Sequence, residues 1–174
     1  MKRSVVMGGL AIAVLVAVFM WVGRSKVDAR GSEVVPAVGV ELAFGRLADI
    51  FRPGDTEAPV SVVLLHGCCG DRNDMKQLAI GLATRGVTAI TLDWGGIEPN
   101  GFPKHYQDVA CSLNQLAAEG VDERVFVLGW SDGTLPGAVV SLAADAAVSQ
   151  CTTSSVGPKV SGFIGVSGFY GWPD

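Results

Sequence analysis

The sequence predicts an α/β fold: a mainly parallel sheet with flanking helices, preceded by an apolar amino-terminal helix of membrane-spanning length. Three observations carry this. Apolar runs of strand length recur at residues 60–65, 87–92 and 125–128. Segments with apolar residues at helical spacing separate them, and runs this apolar mark strands buried on both faces. Strands alternating with such helices belong to chains that wind across a parallel sheet.

The 174 residues are enough for one domain with a real core. Mean hydropathy is +0.39, raised by the amino terminus. Lys2 and Arg3 precede residues 4–23, which carry no charge, and Arg24 and Lys26 follow. As a helix, twenty residues span about 30 Å, the hydrocarbon thickness of a bilayer. Residues 1–30 therefore read as a membrane anchor or signal segment, and residues 31–174 as the folded domain. A retained anchor fits the length, since the apolar part of a secretory signal is about 7–15 residues. A cleaved signal fits Val27-Asp28-Ala29, which offers small residues at alternate positions. The amino-terminal amine and Asp28 tip the charge balance toward a cytoplasmic amino terminus. The domain then lies outside the cytoplasm, anchored to the membrane, or secreted if the segment is cleaved. From Gly31 onward eight Lys+Arg face sixteen Asp+Glu, a net −8. So acidic a body argues against nucleic-acid binding.

In chain order, residues 31–36 read as a linker. Residues 38–44 and 47–51 alternate loosely and suggest a hairpin turning near Gly45. Pro53-Gly54-Asp55 is a turn. Residues 60–65 are a buried strand, followed by His66-Gly67-Cys68-Cys69-Gly70. Met75, Leu78, Ala79, Leu82 and Ala83 mark one face of a helix that ends at Gly86. Residues 87–92 form the next strand and lead to Asp93-Trp94-Gly95-Gly96. A loop with Pro99, Gly101 and Pro103 carries His105 as a solvated side chain. Val109, Leu113, Leu116 and Ala117 make the second helical stripe, with Cys111 on its outer side. Residues 149–158 are a polar loop, and residues 160–169 a last strand interrupted by glycines.

The densest signal lies at residues 125–133. An apolar run ends in Gly129-Trp130-Ser131-Asp132-Gly133, a G-x-S-x-G, and a helix-period segment, 135–146, begins at once. In that context the motif means a sharp strand-to-helix turn with an exposed serine hydroxyl. Gly129 and Gly133 are small so that backbones can pass. Ser131 stands at the amino end of a helix, where free N–H groups favour a developing anion. His66-Gly67, Asp93 and Ser131 all fall at carboxyl ends of strands, where such sheets carry their sites.

These features together resemble the α/β-hydrolase family, from about Val38 to Asp174. The resemblance rests on Leu64-Leu65-His66-Gly67, Leu92-Asp93-Trp94-Gly95-Gly96 and the serine motif, in the family's order. It implies that Ser131 is a nucleophile, with Asp132 N–H and Cys68 N–H forming the oxyanion hole. His66, Gly67, Gly129 and Gly133 support the motif. It also implies a small-molecule acyl substrate and no metal or organic cofactor. The family's triad order is serine, acid, histidine. Beyond the motif this chain has Asp145 and Asp174 as carboxylates and no histidine; His66 and His105 both precede Ser131. The family sheet has eight strands and this sequence predicts six. The domain therefore reads as a hydrolase truncated after the sixth strand, with residues 160–169 an apolar edge open to self-association. In the resembled fold the helices near Cys111 and Cys151 flank one sheet face, which permits a bridge between them. Cys68 and Cys69 are read as thiols.

Two function classes stay open. One is a serine hydrolase of carboxylic esters or related acyl compounds, which needs a histidine from outside this chain. The other is a non-catalytic, membrane-anchored remnant or binding module of the same fold. Nucleotide binding has no support, because neither G-x-x-x-x-G-K-[ST] nor G-x-G-x-x-G occurs.

Overall fold

The continuous apolar runs form the inner strands of a six-stranded sheet. The computed structural model describes residues 33–54, 58–95, 104–118, 120–121, 124–143, 151 and 159–168. The strands are β1 (Val34–Glu41), β2 (Leu47–Pro53), β3 (Ser61–Leu65), β4 (Thr88–Leu92), β5 (Val125–Trp130) and β6 (Val160–Val166), in the order β1-β2-β4-β3-β5-β6. The helices are α1 (Lys76–Ala83), α2 (Lys104–Ala118) and α3 (Thr134–Leu142). The sheet is mainly parallel, and β2 makes it a mixed one. β3 pairs parallel with β4 and β5, and β5 with β6, while β2 runs antiparallel to both β1 and β4. The hairpin is thus built into the sheet edge, and the predicted linker gives way to strand from Val34.

Side-chain alternation explains why the inner strands are mainly apolar. Val63 and Leu65 of β3, Ile90 and Leu92 of β4 and Val127 of β5 pack with Val109, Leu113 and Leu116 of α2 and Val140 of α3. Val62, Leu64 and Ala89 point the other way, onto Met75, Ala79 and Ala83. Each strand serves two helical layers, so both of its faces are mainly apolar, with Ser61, Thr88 and Thr91 the buried polar exceptions. The α1 stripe is narrower than predicted: Leu78 is exposed, as is Ala117 at the end of α2. Pro136 sits in the first turn of α3, where a missing N–H costs no hydrogen bond.

Buried charge pins the edges. In β1 the register shifts between Ala37 and Val40, and Gly39 there, at φ 68, donates its N–H to Asp49 Oδ1 at 2.8 Å. Asp108 of α2 accepts from Arg46 Nε at 2.7 Å and Lys104 Nζ at 3.4 Å, tying the helix to the turn between β1 and β2.

Cys111 and Cys151 are disulfide-bonded, their Cα atoms 5.4 Å apart. Cys111 is only 1% exposed, so it lies inside the helix layer and not on its outer side. The bridge joins residues 40 apart in sequence. Replacing both cysteines by alanine is expected to lower unfolding stability by about 2–4 kcal/mol, chiefly by freeing the unfolded chain. Urea unfolding checks this, and an unchanged midpoint would refute it.

The predicted membrane segment, residues 4–23, lies outside the described residues, as do Asp145 and Asp174. Among the described residues no helix is long and apolar enough to cross a membrane. The outer edge of β6 is unpaired among the described residues, with Ile164 and Val166 exposed.

Candidate active site

Ser131 follows β5 directly and opens a 3₁₀ turn, Ser131–Gly133, that leads into α3. Its φ is 52, a left-handed conformation that costs a non-glycine residue about 1–3 kcal/mol. The surrounding backbone holds it there. A Cβ on Gly129 would strike the carbonyl of Gly133 and lie 2.6 Å from Thr134 Cα. A Cβ on Gly133 would lie 2.5 Å from His66 O and 2.6 Å from Leu65 O. The two glycines let the turn double back and lie flat on the end of β3. Buried Thr134 locks it, donating its hydroxyl to Ser131 O at 2.6 Å.

Gly133→Ala therefore drives a methyl into two backbone carbonyls, neither of which can rotate away. The expected cost is about 1–3 kcal/mol of stability, together with displacement of Ser131. A denaturation midpoint equal to that of the parent chain would show that the turn has room to spare.

The loop after β3 meets the serine turn. A Cβ on Gly67 would lie 3.2 Å from Ser131 Cβ and 3.8 Å from its Oγ. The loop is fixed from within and without. His66 is buried, with Nδ1 2.7 Å from Gly67 O, and its own carbonyl accepts from Trp94 Nε1 at 3.0 Å. Asp71 caps the short turn Arg72–Met75 by accepting from Asn73 N at 2.7 Å, which holds its carboxyl below the usual range. Arg72 joins two aspartates. Its N–H and Nη1 reach Asp93 at 2.7 and 2.6 Å, and its Nε reaches Asp49 at 3.0 Å. These contacts raise its affinity for the proton further, the hydrogen bond to Asp49 first. Cys68 and Cys69 are exposed thiols on this loop. Hydrogen bonding to Cys69, then to Asp132, pushes the Cys68 thiol up to about 11.

The predicted residues Gly67, Gly129, Ser131 and Gly133 thus meet at one edge of the sheet, and Cys68 reaches Asp132 across it. His105 is not a solvated loop residue. It belongs to α2, stands edge-on to Trp94 with ring centroids 5.7 Å apart, and buries an unpartnered Nε2. Among the described residues neither imidazole hydrogen-bonds Ser131. Sequence reasoning missed Arg72, Thr134 and the anchoring role of Trp94. Only the Trp94-Gly95-Gly96 motif gave a signal for any of them.

No family model matches the chain, and no curated protein matches it. Solved structures do. An esterase from the planctomycete Thermogutta terrifontis superposes with a TM-score of 0.60 at 18% identity, over 85% of this chain and 57% of that one. Esterase B from Lactobacillus rhamnosis, bound to a tributyrin phosphonate inhibitor, gives 0.54 at 20% identity, over 81% and 50%. A thermostable esterase from Pseudomonas putida gives 0.54 at 23%, over 82% and 47%. The chain spans about half the length of these structures.

Proposed function

We propose that this chain, which has the α/β-hydrolase fold of its solved neighbours, is the nucleophile-bearing part of a serine hydrolase acting on carboxylic esters or related acyl compounds. Ser131 attacks the acyl carbon and becomes the acyl-enzyme. The N–H groups of Cys68 and Asp132 receive the oxyanion. The observation that carries the reading is Ser131 itself. A serine forced to φ 52 between a strand and a helix, against Gly67 of the preceding loop, is strained where a nucleophile must be exposed. The solved neighbours are esterases, which agrees with it.

On this reading the base is a histidine from outside these 174 residues, because no histidine follows Ser131. The same fact favours the second reading, a non-catalytic protein of this fold. Fluorophosphonate labelling separates them. The 174-residue chain should not label. A form extended by an encoded Asp- and His-bearing segment should label, and should lose the label in Ser131→Ala. Failure of every extended form to label would leave the non-catalytic reading.

Residues 4–23 hold the protein in a membrane with its domain outside the cytoplasm, on the strength of their length and flanking charges. The protein should stay with membranes through carbonate washing. A soluble product beginning at Arg30 would instead mean a cleaved signal.

A further inference from the structure

Cys68 and Cys69 are neighbours in sequence, and both are exposed thiols. The reaction proposed above uses only the backbone of Cys68. Cys69 lies at φ 60, so the chain turns sharply between Gly67, against Ser131, and Gly70, against Asp74. The Cys68 thiol faces both Cys69 and the Asp132 carboxylate. Two sulfurs thus share the rim of the serine turn. The remaining two cysteines are already joined to each other. We infer that Cys68–Cys69 is a dithiol–disulfide exchange site, one that reacts with small-molecule disulfides and closes to a vicinal disulfide.

The step balances. One thiolate attacks a sulfur of the small disulfide, breaks its S–S bond and expels one thiolate. The second cysteine then attacks the first cysteine's sulfur, forms the Cys68–Cys69 bond and expels the other. Both cysteine protons end on the released thiols, and the small disulfide takes up the two electrons. Adjacent Cα atoms across a trans peptide are only about 3.8 Å apart, below the roughly 4.4–6.8 Å usual for bridged cysteines. The ring is therefore strained, and strained exposed disulfides are the easily reduced ones. Cys111–Cys151, with Cα atoms 5.4 Å apart and Cys111 buried, has no such liability. Hydrogen bonding to Cys69, and then to the Asp132 carboxylate, which accepts from the Cys68 thiol, restrains the pair by disfavouring the thiolate. Closing the ring re-aims the Cys68 N–H and so alters the oxyanion hole. That consequence rests on the hydrolase reading, but the exchange itself does not.

The test treats the folded 174-residue chain with the aromatic disulfide dithiobis(nitrobenzoate), whose thiol leaves readily. The native chain should consume one reagent molecule, release two nitrothiolates and retain none. Its mass should fall by two hydrogens, with the new bond in the peptide holding residues 68 and 69. Cys68→Ser and Cys69→Ser should each release one nitrothiolate and keep one. Two nitrothiol groups retained on the native chain, or no reaction at all, would overturn the inference. Asp132→Asn should react several-fold faster, and an unchanged rate would overturn the restraint assigned to its carboxylate. Ser131→Ala should give the parent stoichiometry, so a failed hydrolase reading and a failed exchange site are told apart.

Discussion

Replacing Arg72 by methionine is expected to cost about 3–5 kcal/mol, the usual penalty for removing one partner of a buried ion pair. Asp49 is the reason. Its side chain is 2% exposed and keeps only the Gly39 N–H once the guanidinium has gone. An uncompensated carboxylate then sits between β1 and the loop after β3. Asp93 is a quarter exposed and can turn to water, so it contributes less. The substitution also unpins the loop that places Gly67 against Ser131, since Arg72 is its far anchor. Arg72→Lys should recover only part of the loss. A single ammonium cannot reproduce the fork that reaches two carboxylates. Urea unfolding reads both variants. A loss below about 1 kcal/mol for Arg72→Met would mean that Asp49 finds other partners or water.

This ion cluster marks where the sequence stops being legible. The inner strands were readable because burial on both faces leaves a local trace, a mainly apolar run. The serine turn was readable because its steric needs fall within five residues. Arg72, Asp49 and Asp93 lie 21 and 23 residues apart and meet only after β2, β4 and the loop after β3 are assembled. Charge pairing over such spans leaves no periodicity to find. The hairpin was visible, but its antiparallel docking against β4, which makes the mainly parallel sheet a mixed one, was not. His105 was misplaced for a related reason. Proline and glycine just ahead of it signalled a loop, whereas its ring packs against Trp94, eleven residues earlier in the loop after β4. The Cys111–Cys151 bridge was permitted by the resemblance, and only the packing of α2 shows Cys111 facing inward to make it.

The largest expected effect concerns Ser131. The 174-residue chain should hydrolyse p-nitrophenyl acetate no faster than its Ser131→Ala variant. A serine hydroxyl is a weak nucleophile until a base takes its proton as it attacks. In a well-studied triad protease, losing the histidine costs about 10⁶ in turnover, nearly as much as losing the whole triad. About 10³–10⁴ over water then survives from binding and the oxyanion hole. Here the turn and the loop that would form the hole are built, but neither imidazole is positioned to serve. His66 spends Nδ1 on Gly67 O in a buried pocket, and His105 is packed against Trp94. Supplying Asp and His in an extended form should raise Ser131-dependent turnover by several orders of magnitude. Turnover by the 174-residue chain that vanishes in Ser131→Ala would mean that a base exists within it. His105 would then be mutated first. It is the one histidine outside the loop after β3, and its buried Nε2 has no partner to give up.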